Sequence, residues 1–378
     1  MTAPAFLDVL EELKKTVVDP AAADDDATGS FPRAAVTALG ERGLLGLLSS
    51  ADVGGLGGTL GDAAQVVRTL AASCGSTAMV VCMHYCATAV IEQHGPLDIR
   101  RAIAAGTHLS TLAFSETGSR SHFWAPLGTA TADGDAVVLD ASKSWVTSAG
   151  EADSYVWTSR PTAAAPADAP ATLWLVPATA DGLKVAAPFD GLGLRGNASS
   201  PVLASGVRLP ASARLGDDGG GLDIALGVVL PVFQILNASC SRGLMDAAIG
   251  KAIAHATTAR FEHLDQTLAD QPVVRQHVAS MQSQADAAGA LVDDAIAALA
   301  GGRVDAPLRM LQSKLVAGEA ALAVLDRAMG VGGGAAFRKD IGIERHFRDA
   351  RASTVMAPTA DALREFIGRA LCGLPLFG

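Results

Sequence analysis

The sequence predicts an α+β chain in three parts: an N-terminal α-helical domain (1–108), a small antiparallel β-barrel (109–218) and a C-terminal four-helix bundle (219–378). Apolar residues recur at the helical period at both ends, and short β-rich runs lie between them. The composition agrees, because only 4% of the 378 residues are aromatic. An alanine-rich chain with few aromatics favours closely packed helices over an aromatic-rich sandwich.

The N-terminal part begins with an amphipathic helix whose apolar residues lie three or four positions apart. These residues are Phe6, Val9, Leu10, Leu13 and Val17. Pro32 marks the start of a further helix, because proline is favoured in the first helical turn. The pattern predicts packed helices up to about residue 108.

The middle part contains four short runs rich in β-forming residues, at 111–114, 136–139, 155–158 and 172–176. Turn residues separate the runs, and no long helical pattern lies between them. Such spacing predicts a small antiparallel barrel or sandwich.

Two long amphipathic helices follow. The apolar stripe of the first is Val274, Val278, Met281, Ala285, Ala288, Val292 and Ile296, and that of the second is Leu308, Leu311, Leu315, Leu322 and Leu325. Gly301 and Gly302 separate the two helices, and the glycines at 332–334 end the second. Long helices joined by short loops predict a bundle.

Charge and cysteine content narrow the function. A net charge of −10 argues against nucleic acid or an anionic membrane as a partner. Five scattered cysteines fit a reducing cytoplasm better than a disulfide framework. Cys82 and Cys86 lack a second cluster that would complete four ligands, so no metal site is expected. The apolar run 224–236 is shorter than the roughly 20 residues that cross a bilayer, and we predict a soluble, cytoplasmic protein.

Five segments, in order, resemble the acyl-CoA dehydrogenase family from end to end. Residues 31–57 are similar to F-P…L-G-E-x-G-L-L-G…Y-G-G-L-G, and 115–122 (SETGSRSH) stands in place of T-E-P-G-A-G-S-D. Residues 143–150 (KSWVTSAG) resemble G-x-K-x-W-I-T-N-G, 191–196 (GLGLRG) resemble G-x-R-G/S-S, and 348–359 (RDARASTVMAPT) resemble R-D-A…Y-E-G-T. The resemblance implies the three-domain fold of that family, FAD, an acyl thioester substrate and a homo-oligomer, either a dimer or a tetramer.

The same resemblance assigns cofactor contacts. Trp145 would stack on the flavin ring, and the Thr147 hydroxyl would lie near its reactive nitrogen. An aromatic plane and a short donor suit a planar redox-active ring. The residues implied to line the flavin and its pyrophosphate are Leu112, Phe114, Ser115 and Ser121.

The adenosine end departs from the family pattern. Arg260 matches the Arg of an R-x-x-F pair, but His263 stands at the Phe position. Residues 330–334 (GVGGG) correspond to a Q-x-x-G-G loop, with glycine in place of the Gln. Thr359 keeps the threonine that follows the catalytic base. FAD with weaker adenine contacts is implied; FMN, and Arg260 as a plain surface cation, stay open.

The family's catalytic base is missing at both positions where relatives carry it. The usual Glu corresponds to Ala357 and the second position to Phe233, and neither side chain accepts a proton. Asp361 and Glu365 are candidates for a displaced base, although helical geometry turns them from the flavin. His84 lies on a helix that in relatives faces the substrate cavity, where flavin monooxygenases of this fold use a histidine; a structural core histidine is the alternative.

Several features bear on the substrate. The Ala357 N–H remains, and in relatives this group helps to polarise the thioester carbonyl. Gln234 stands where relatives carry an Arg near CoA, so a carrier-protein substrate stays open. Arg120 and His122 replace residues beside the flavin, where an Arg could pair with an anionic substrate. The implied substrate-side residues are Arg120, Ser121, His122, Phe233, Gln234 and Ala357.

The sequence thus predicts an FAD-dependent oxidoreductase acting on the Cα–Cβ bond of an acyl thioester, with the usual base replaced by Ala357. Two alternatives stay open: a flavin monooxygenase or a desulfinase- or eliminase-like enzyme on the same fold, and a non-catalytic flavin- or thioester-binding partner subunit.

Overall fold

The computed structural model describes residues 3–120, 122–166 and 169–377, apart from the side chains of residues 3–5. Helices fill both ends of the chain and strands fill the middle, so the predicted fold class is confirmed. The N-terminal helices are α1 (Ala3–Leu13), α2 (Asp19–Thr28), α3 (Arg33–Glu41), α4 (Leu60–Ala71), α5 (Gly75–His94) and α6 (Leu97–Ala104).

The C-terminal helices are α7 (Gly221–Ile224), α8 (Leu230–Thr258), α9 (Pro272–Ala300), α10 (Ala306–Ala336), α11 (Ile343–Ala350), α12 (Ala352–Val355) and α13 (Ala360–Leu371). Helices α8, α9 and α10 pack on one another and α13 packs on α10, while α4 covers α8 from the N-terminal side. The predicted stripe of α9 faces inward, with Met281, Ala285 and Ala288 buried. Within α10 the backbone breaks at Gly333, which has a φ of 53°.

The strands of the middle region form two four-stranded sheets. They are β1 (Ser110–Ala113), β2 (Thr129–Asp133), β3 (Ala136–Val146), β4 (Ser154–Ser159), β5 (Thr172–Pro177), β6 (Leu183–Val185), β7 (Ser200–Pro210) and β8 (Arg214–Leu215). One sheet has the order β1-β4-β5-β8 and the other β2-β3-β7-β6. A separate hairpin pairs β9 (Arg260–Phe261) with β10 (Gln266–Thr267).

One strand pair differs from the antiparallel expectation. β1 and β4 are parallel, whereas the other pairs in the two sheets are antiparallel. A parallel pair needs a long crossover, and β2 and β3 of the second sheet supply it. The local run pattern cannot reveal pairing direction, because the same β-rich composition serves both arrangements.

The apolar run that looked too short for a membrane span continues into a longer helical stretch, Gly221–Thr258, with a mean hydropathy of 1.7 in its most apolar window. By length and composition alone this stretch could cross a bilayer. However, 72% of that window is buried inside the fold, as expected for the central helix of a helical bundle.

Candidate active site between the β sheets and the C-terminal helices

A cleft of about 670 Å³ opens between the β sheets and the C-terminal helices. Segments far apart in the sequence form its walls: residues after β1, the end of β3, the loop 189–194, the helical turn before α8 and the loop 351–358. Predicted site residues on its walls are Leu112, Phe114, Ser115, Trp145, Thr147, Phe233 and Ala357. The cleft thus brings together residues predicted to contact the flavin and Ala357, where the family's base is expected.

A buried ion pair lies behind the cleft wall that is predicted to contact the flavin. The Lys143 Nζ lies 2.6 Å from Glu116 Oε1 and donates to both oxygens of Thr158, each at 2.7 Å. Burial lowers the pKa of Lys143 to about 8, against the opposing influence of Glu116. Glu116 also accepts the Gly128 N–H. Because Ser115 directly precedes Glu116, this pair holds Ser115 at the cleft wall.

Trp145 presents an unpacked aromatic face to the cleft. The register between β3 and β7 shifts between Lys143 and Val146, and at this bulge Trp145 adopts a φ of 58°. A non-glycine residue in that region is strained and persists where its surroundings impose it. The indole is 71% exposed, and the nearby Thr147 hydroxyl lies 3.1 Å from Ser199 Oγ. An open aromatic plane beside hydroxyl groups suits a flat ring with hydrogen-bonding edges.

Three other residues predicted to contact the cofactor are not among the described residues that line the cleft. Ser121 lies outside the described residues. Thr359 caps α13, where its Oγ1 accepts the Ala362 N–H at 3.3 Å. Arg260 lies on the β9–β10 hairpin, pairs with Asp265 and does not line the cleft of this chain.

The opposite side of the cleft lacks a proton acceptor at the expected positions. Ala357 and Phe233 both line it. Among the described residues that line the cleft, the one carboxylate is Asp190, whose side chain is 91% exposed and lies 3.4 Å from Arg195. Solvent screening weakens such an exposed group. No histidine lines this described surface.

The structure argues against His84 as the missing base. The side chain is fully buried in the core and does not line the cleft. Its Nδ1 accepts the Ser110 N–H at 3.1 Å, and its Nε2 lies 3.1 Å from the Leu45 carbonyl. Burial lowers the pKa of His84 to about 4. His84 therefore joins α5 to β1 and to the loop after α3 as a neutral structural residue.

The two carboxylates of α13 are likewise turned away from the cleft. The Asp361 side chain is 94% exposed and pairs with Arg364, while Glu365 is largely exposed and lies 3.5 Å from Arg369. Neither lines the cleft. Their position on the outer face of the helix, away from the cleft, argues against a role as displaced bases.

The remaining substrate candidates in the described part of the chain do not line the cleft. Arg120 is exposed, with a φ of 49°. His122 is exposed and stacks on Trp124, with the ring centroids 4.6 Å apart. Gln234 is completely buried on α8, so it cannot contact a phosphate at the surface.

Two cleft features were not identified from the sequence as site elements. Arg348 pairs with Asp26 at 2.6 Å and with Glu344 at 2.7 Å. Asp349 accepts the Leu194 N–H at 2.6 Å and so anchors the loop 189–194. Burial raises the pKa of Asp349 to about 6.

Lys314 is a buried residue next to Ala357 that the sequence did not single out. It lies on α10, is almost fully buried, and donates to the carbonyls of Ser353, Met356 and Pro358 at 3.1, 3.0 and 2.7 Å. Burial lowers the pKa of Lys314 to about 7. Its three bonds hold both flanks of Ala357. One feature of the sequence indicates that this lysine is buried. It lies three residues after Leu311 and four before Gly318, within the apolar stripe of the helix.

Comparison with known proteins agrees with this arrangement. The acyl-CoA dehydrogenase N-terminal, middle and C-terminal domain models match residues 2–106, 111–207 and 219–372. A probable acyl-CoA dehydrogenase of Bacillus subtilis is 26% identical over 373 residues, covering 96% of each chain. The mitochondrial short-chain specific acyl-CoA dehydrogenase of Homo sapiens is 28% identical over 350 residues, covering 91% of this chain and 84% of the relative.

Among solved structures, butyryl-CoA dehydrogenase from Megasphaera elsdenii superposes with a TM-score of 0.91 at 22% identity, covering 98% of this chain and 99% of that one. At this identity the likeness shows the fold. The three domain models, matched in order over nearly the whole chain, show the family. The chain belongs to the acyl-CoA dehydrogenase family and is an FAD-dependent oxidoreductase.

Proposed function

We propose that this protein oxidises the Cα–Cβ bond of an acyl thioester in the cleft, without a carboxylate at residue 357. The observation that carries the proposal is the Ala357 N–H. It belongs to a residue on the cleft wall, and it donates to no acceptor within the described chain. A free backbone donor of this kind polarises a carbonyl and stabilises the negative charge that develops on its oxygen.

The residues of the opposite wall fit a flavin. Trp145 offers an open aromatic face, Ser115 and Thr147 offer hydroxyl groups, and the buried pair of Glu116 and Lys143 holds the Ser115 segment in place. When bound, FAD supplies the two-electron acceptor of the oxidation.

The chain's own contribution to the reaction is electrostatic. Lys314 fixes the two carbonyls that flank Ala357, so the Ala357 N–H is held in one orientation. Polarisation of the thioester carbonyl makes the neighbouring Cα–H more acidic. Because the described cleft wall carries no enclosed carboxylate or histidine, we propose that the proton leaves to solvent in the open cleft.

The decisive experiment follows the oxidised flavin band anaerobically while acyl-CoA thioesters are added to the wild type and to Ala357→Glu. A positioned general base contributes about 10²–10⁴-fold, so Ala357→Glu should accelerate bleaching by a factor in that range. Val355→Glu is the matched control, because Val355 also lines the cleft but is largely exposed. If no saturated thioester bleaches the flavin in either the wild type or Ala357→Glu, dehydrogenation is the wrong reaction.

Small carboxylates give a second arm of the same experiment. Formate or acetate should accelerate the wild type, since the methyl group of Ala357 leaves room for an external base, and should have little effect on Ala357→Glu. The oxygen-using alternative depended on His84, and both ring nitrogens of His84 are engaged by main-chain groups in the core.

We also propose a homo-oligomer that forms through the C-terminal helices. Large apolar side chains are exposed there, among them Val273, Phe337, Leu371 and Leu374. Arg260 lies outside the cleft of its own chain and would reach the adenosine end of a cofactor in a second copy. Sedimentation equilibrium of the wild type and Phe337→Ser measures the assembly, and a monomeric wild type would contradict the proposal.

A further inference from the structure

A group of buried polar side chains lies behind the substrate side of the cleft. Gln234 and Asn237 lie three residues apart on α8, so their side chains are neighbours on one helix face. They are 0% and 1% exposed. Within the described chain, neither polar atom of Gln234 has a hydrogen-bond partner, and the Asn237 Oδ1 also has none.

Native proteins rarely leave buried amides unpaired, because an unsatisfied buried donor or acceptor is costly. The Asn237 Nδ2 has one described partner, the Met356 Sδ at 3.4 Å, and a thioether is a weak acceptor. The pair therefore offers hydrogen-bonding capacity that the fold itself does not use. Polar groups of this kind are satisfied by a ligand or by buried water.

The amides are close to the cleft. Met356 lines the cleft and contacts Asn237 on its other side. Phe233, which also lines the cleft, directly precedes Gln234 in α8. Methionine is unbranched and adapts its shape readily, so rotation of the Met356 side chain would expose the Asn237 amide to a ligand in the cleft.

The charge next to these amides favours an electron-rich group. The Lys314 Nζ is 5.7 Å from the centre of the Phe233 ring, and its described hydrogen bonds all go to carbonyls. No carboxylate lies within salt-bridge distance of it in the described part of the chain. A bound carboxylate would supply the counter-ion that this buried amine lacks and would favour its protonated form, because opposite charges attract strongly in a medium of low dielectric constant.

We propose that the acyl group oxidised by this enzyme carries an oxygen-bearing polar group, a carboxylate or a hydroxyl, which Gln234 and Asn237 bind once Met356 turns aside. The inference rests on the proposed function, because it names the substrate class of the same cleft. It predicts that a thioester with a polar chain end binds better than its apolar isostere.

The test is a binding measurement, followed as the perturbation of the oxidised flavin spectrum under anaerobic conditions. Two isosteric comparisons use the short chain: succinyl-CoA against 4-methylpentanoyl-CoA, and 4-hydroxybutanoyl-CoA against pentanoyl-CoA. Two more use a chain one carbon longer: glutaryl-CoA against 5-methylhexanoyl-CoA, and 5-hydroxypentanoyl-CoA against hexanoyl-CoA. Each comparison keeps the shape of the chain end while exchanging oxygen for carbon.

We expect at least one polar thioester to bind roughly tenfold more tightly than its isostere, which corresponds to about 1.4 kcal/mol. Gln234→Leu and Asn237→Leu should each reduce that ratio. Lys314→Met should reduce the affinity ratio of a carboxylate-bearing thioester to its isostere and leave the ratio of a hydroxyl-bearing thioester unchanged, because only the carboxylate carries charge. Gln234→Leu removes an amide whose two polar atoms have no described partner, so this variant should unfold at the wild-type temperature or above it.

Ser49→Ala is the matched control. Ser49 is also fully buried with an unpartnered hydroxyl in the described chain, but it lies in the N-terminal region away from the cleft. It should leave every ratio unchanged. Equal or tighter binding of the apolar member in all four comparisons would overturn the inference and assign the amides to buried water. If no thioester of either kind perturbs the flavin spectrum, the proposed function itself fails.

Discussion

The two walls of the cleft contrast in what they retain. Trp145 and Thr147 lie on the wall predicted to contact the flavin, and the buried ion pair of Glu116 and Lys143 lies behind it. The opposite wall carries Ala357, where the family resemblance leads us to expect a carboxylate, and the nearby Lys314 has carbonyl partners instead of a counter-ion.

The contrast shows that holding a flavin and moving a proton depend on different things. Flavin contact is spread over main-chain groups, hydroxyls and an aromatic plane, so it tolerates local change. Proton transfer depends on one side chain within hydrogen-bond reach of the substrate. A chain can therefore keep the cofactor site of its family while its chemistry at the substrate changes.

The largest expected effect is on the free energy of unfolding, when the buried lysine behind each wall of the cleft is replaced by methionine. Lys143→Met leaves the buried Glu116 without its counter-ion, and breaking a buried pair in this way costs about 3–5 kcal/mol. Lys314→Met orphans no charge and should cost less, about 1–3 kcal/mol. Urea unfolding of both variants measures the difference. Equal losses would mean that the two lysines play equivalent roles. The double variant Lys143→Met/Glu116→Gln is the control and should recover part of the loss.

His84 should prove structural. His84→Ala leaves the Ser110 N–H without its acceptor in the core, and we expect a loss of about 1–3 kcal/mol in unfolding free energy with an unchanged flavin spectrum. The folded pKa of about 4 lies below the unfolded value of 6.5. The unfolded chain therefore binds more protons between these values, and stability should fall as the pH drops from 6.5 towards 4.

His84→Gln gives the control for that pH dependence. Glutamine can still hydrogen-bond but does not titrate, so unfolding midpoints measured across pH 4–6.5 should lose the component due to this residue. A variant of normal stability that loses flavin reactivity would instead restore His84 as a catalytic candidate.

Trp145→Ala should affect cofactor binding without affecting the fold. The indole is mostly exposed in the chain alone, so the unfolding midpoint of the apoprotein should stay unchanged. Loss of an aromatic stacking contact worth about 0.5–1.5 kcal/mol would weaken FAD affinity roughly two- to tenfold, as measured by flavin fluorescence titration. Leu127→Ala, at another exposed apolar position of the β region, should leave that affinity unaltered.

The smallest effects are expected on the outer face of α13. Asp361→Asn and Glu365→Gln remove exposed carboxylates that pair with arginines of the same helix, and such pairs contribute little. Flavin bleaching rates and unfolding midpoints should match the wild type. A large loss of bleaching rate in either variant would reinstate that residue as a displaced base.

The fold class could be predicted from the sequence because the patterns that indicate helices and turns involve residues close together in the chain. The stripe containing Met281, Ala285 and Ala288 identifies the buried face of α9, and Gly301 and Gly302 separate α9 from α10. The parallel pairing of β1 with β4 was not predictable in this way, since pairing direction depends on connections and not on strand composition.

The site followed from the sequence only in part. Trp145, Thr147 and Ala357 line the cleft, as the family motifs implied. His84 does not, because helix periodicity gives the face on which a residue lies but not what packs against that face. Lys314 escaped notice because its partners lie about 40 residues further along the chain.

The sequence by itself determined the order of the three regions, the FAD-binding family and the absence of a Glu at residue 357, since composition, periodicity and motifs are carried by neighbouring residues. Tertiary structure alone decided which titratable groups reach the cleft. It enclosed His84, turned Asp361 and Glu365 to solvent, and set Lys314, Gln234 and Asn237 behind the cleft wall that carries Ala357. The reason is physical: burial and hydrogen-bond partners depend on segments that meet only after folding.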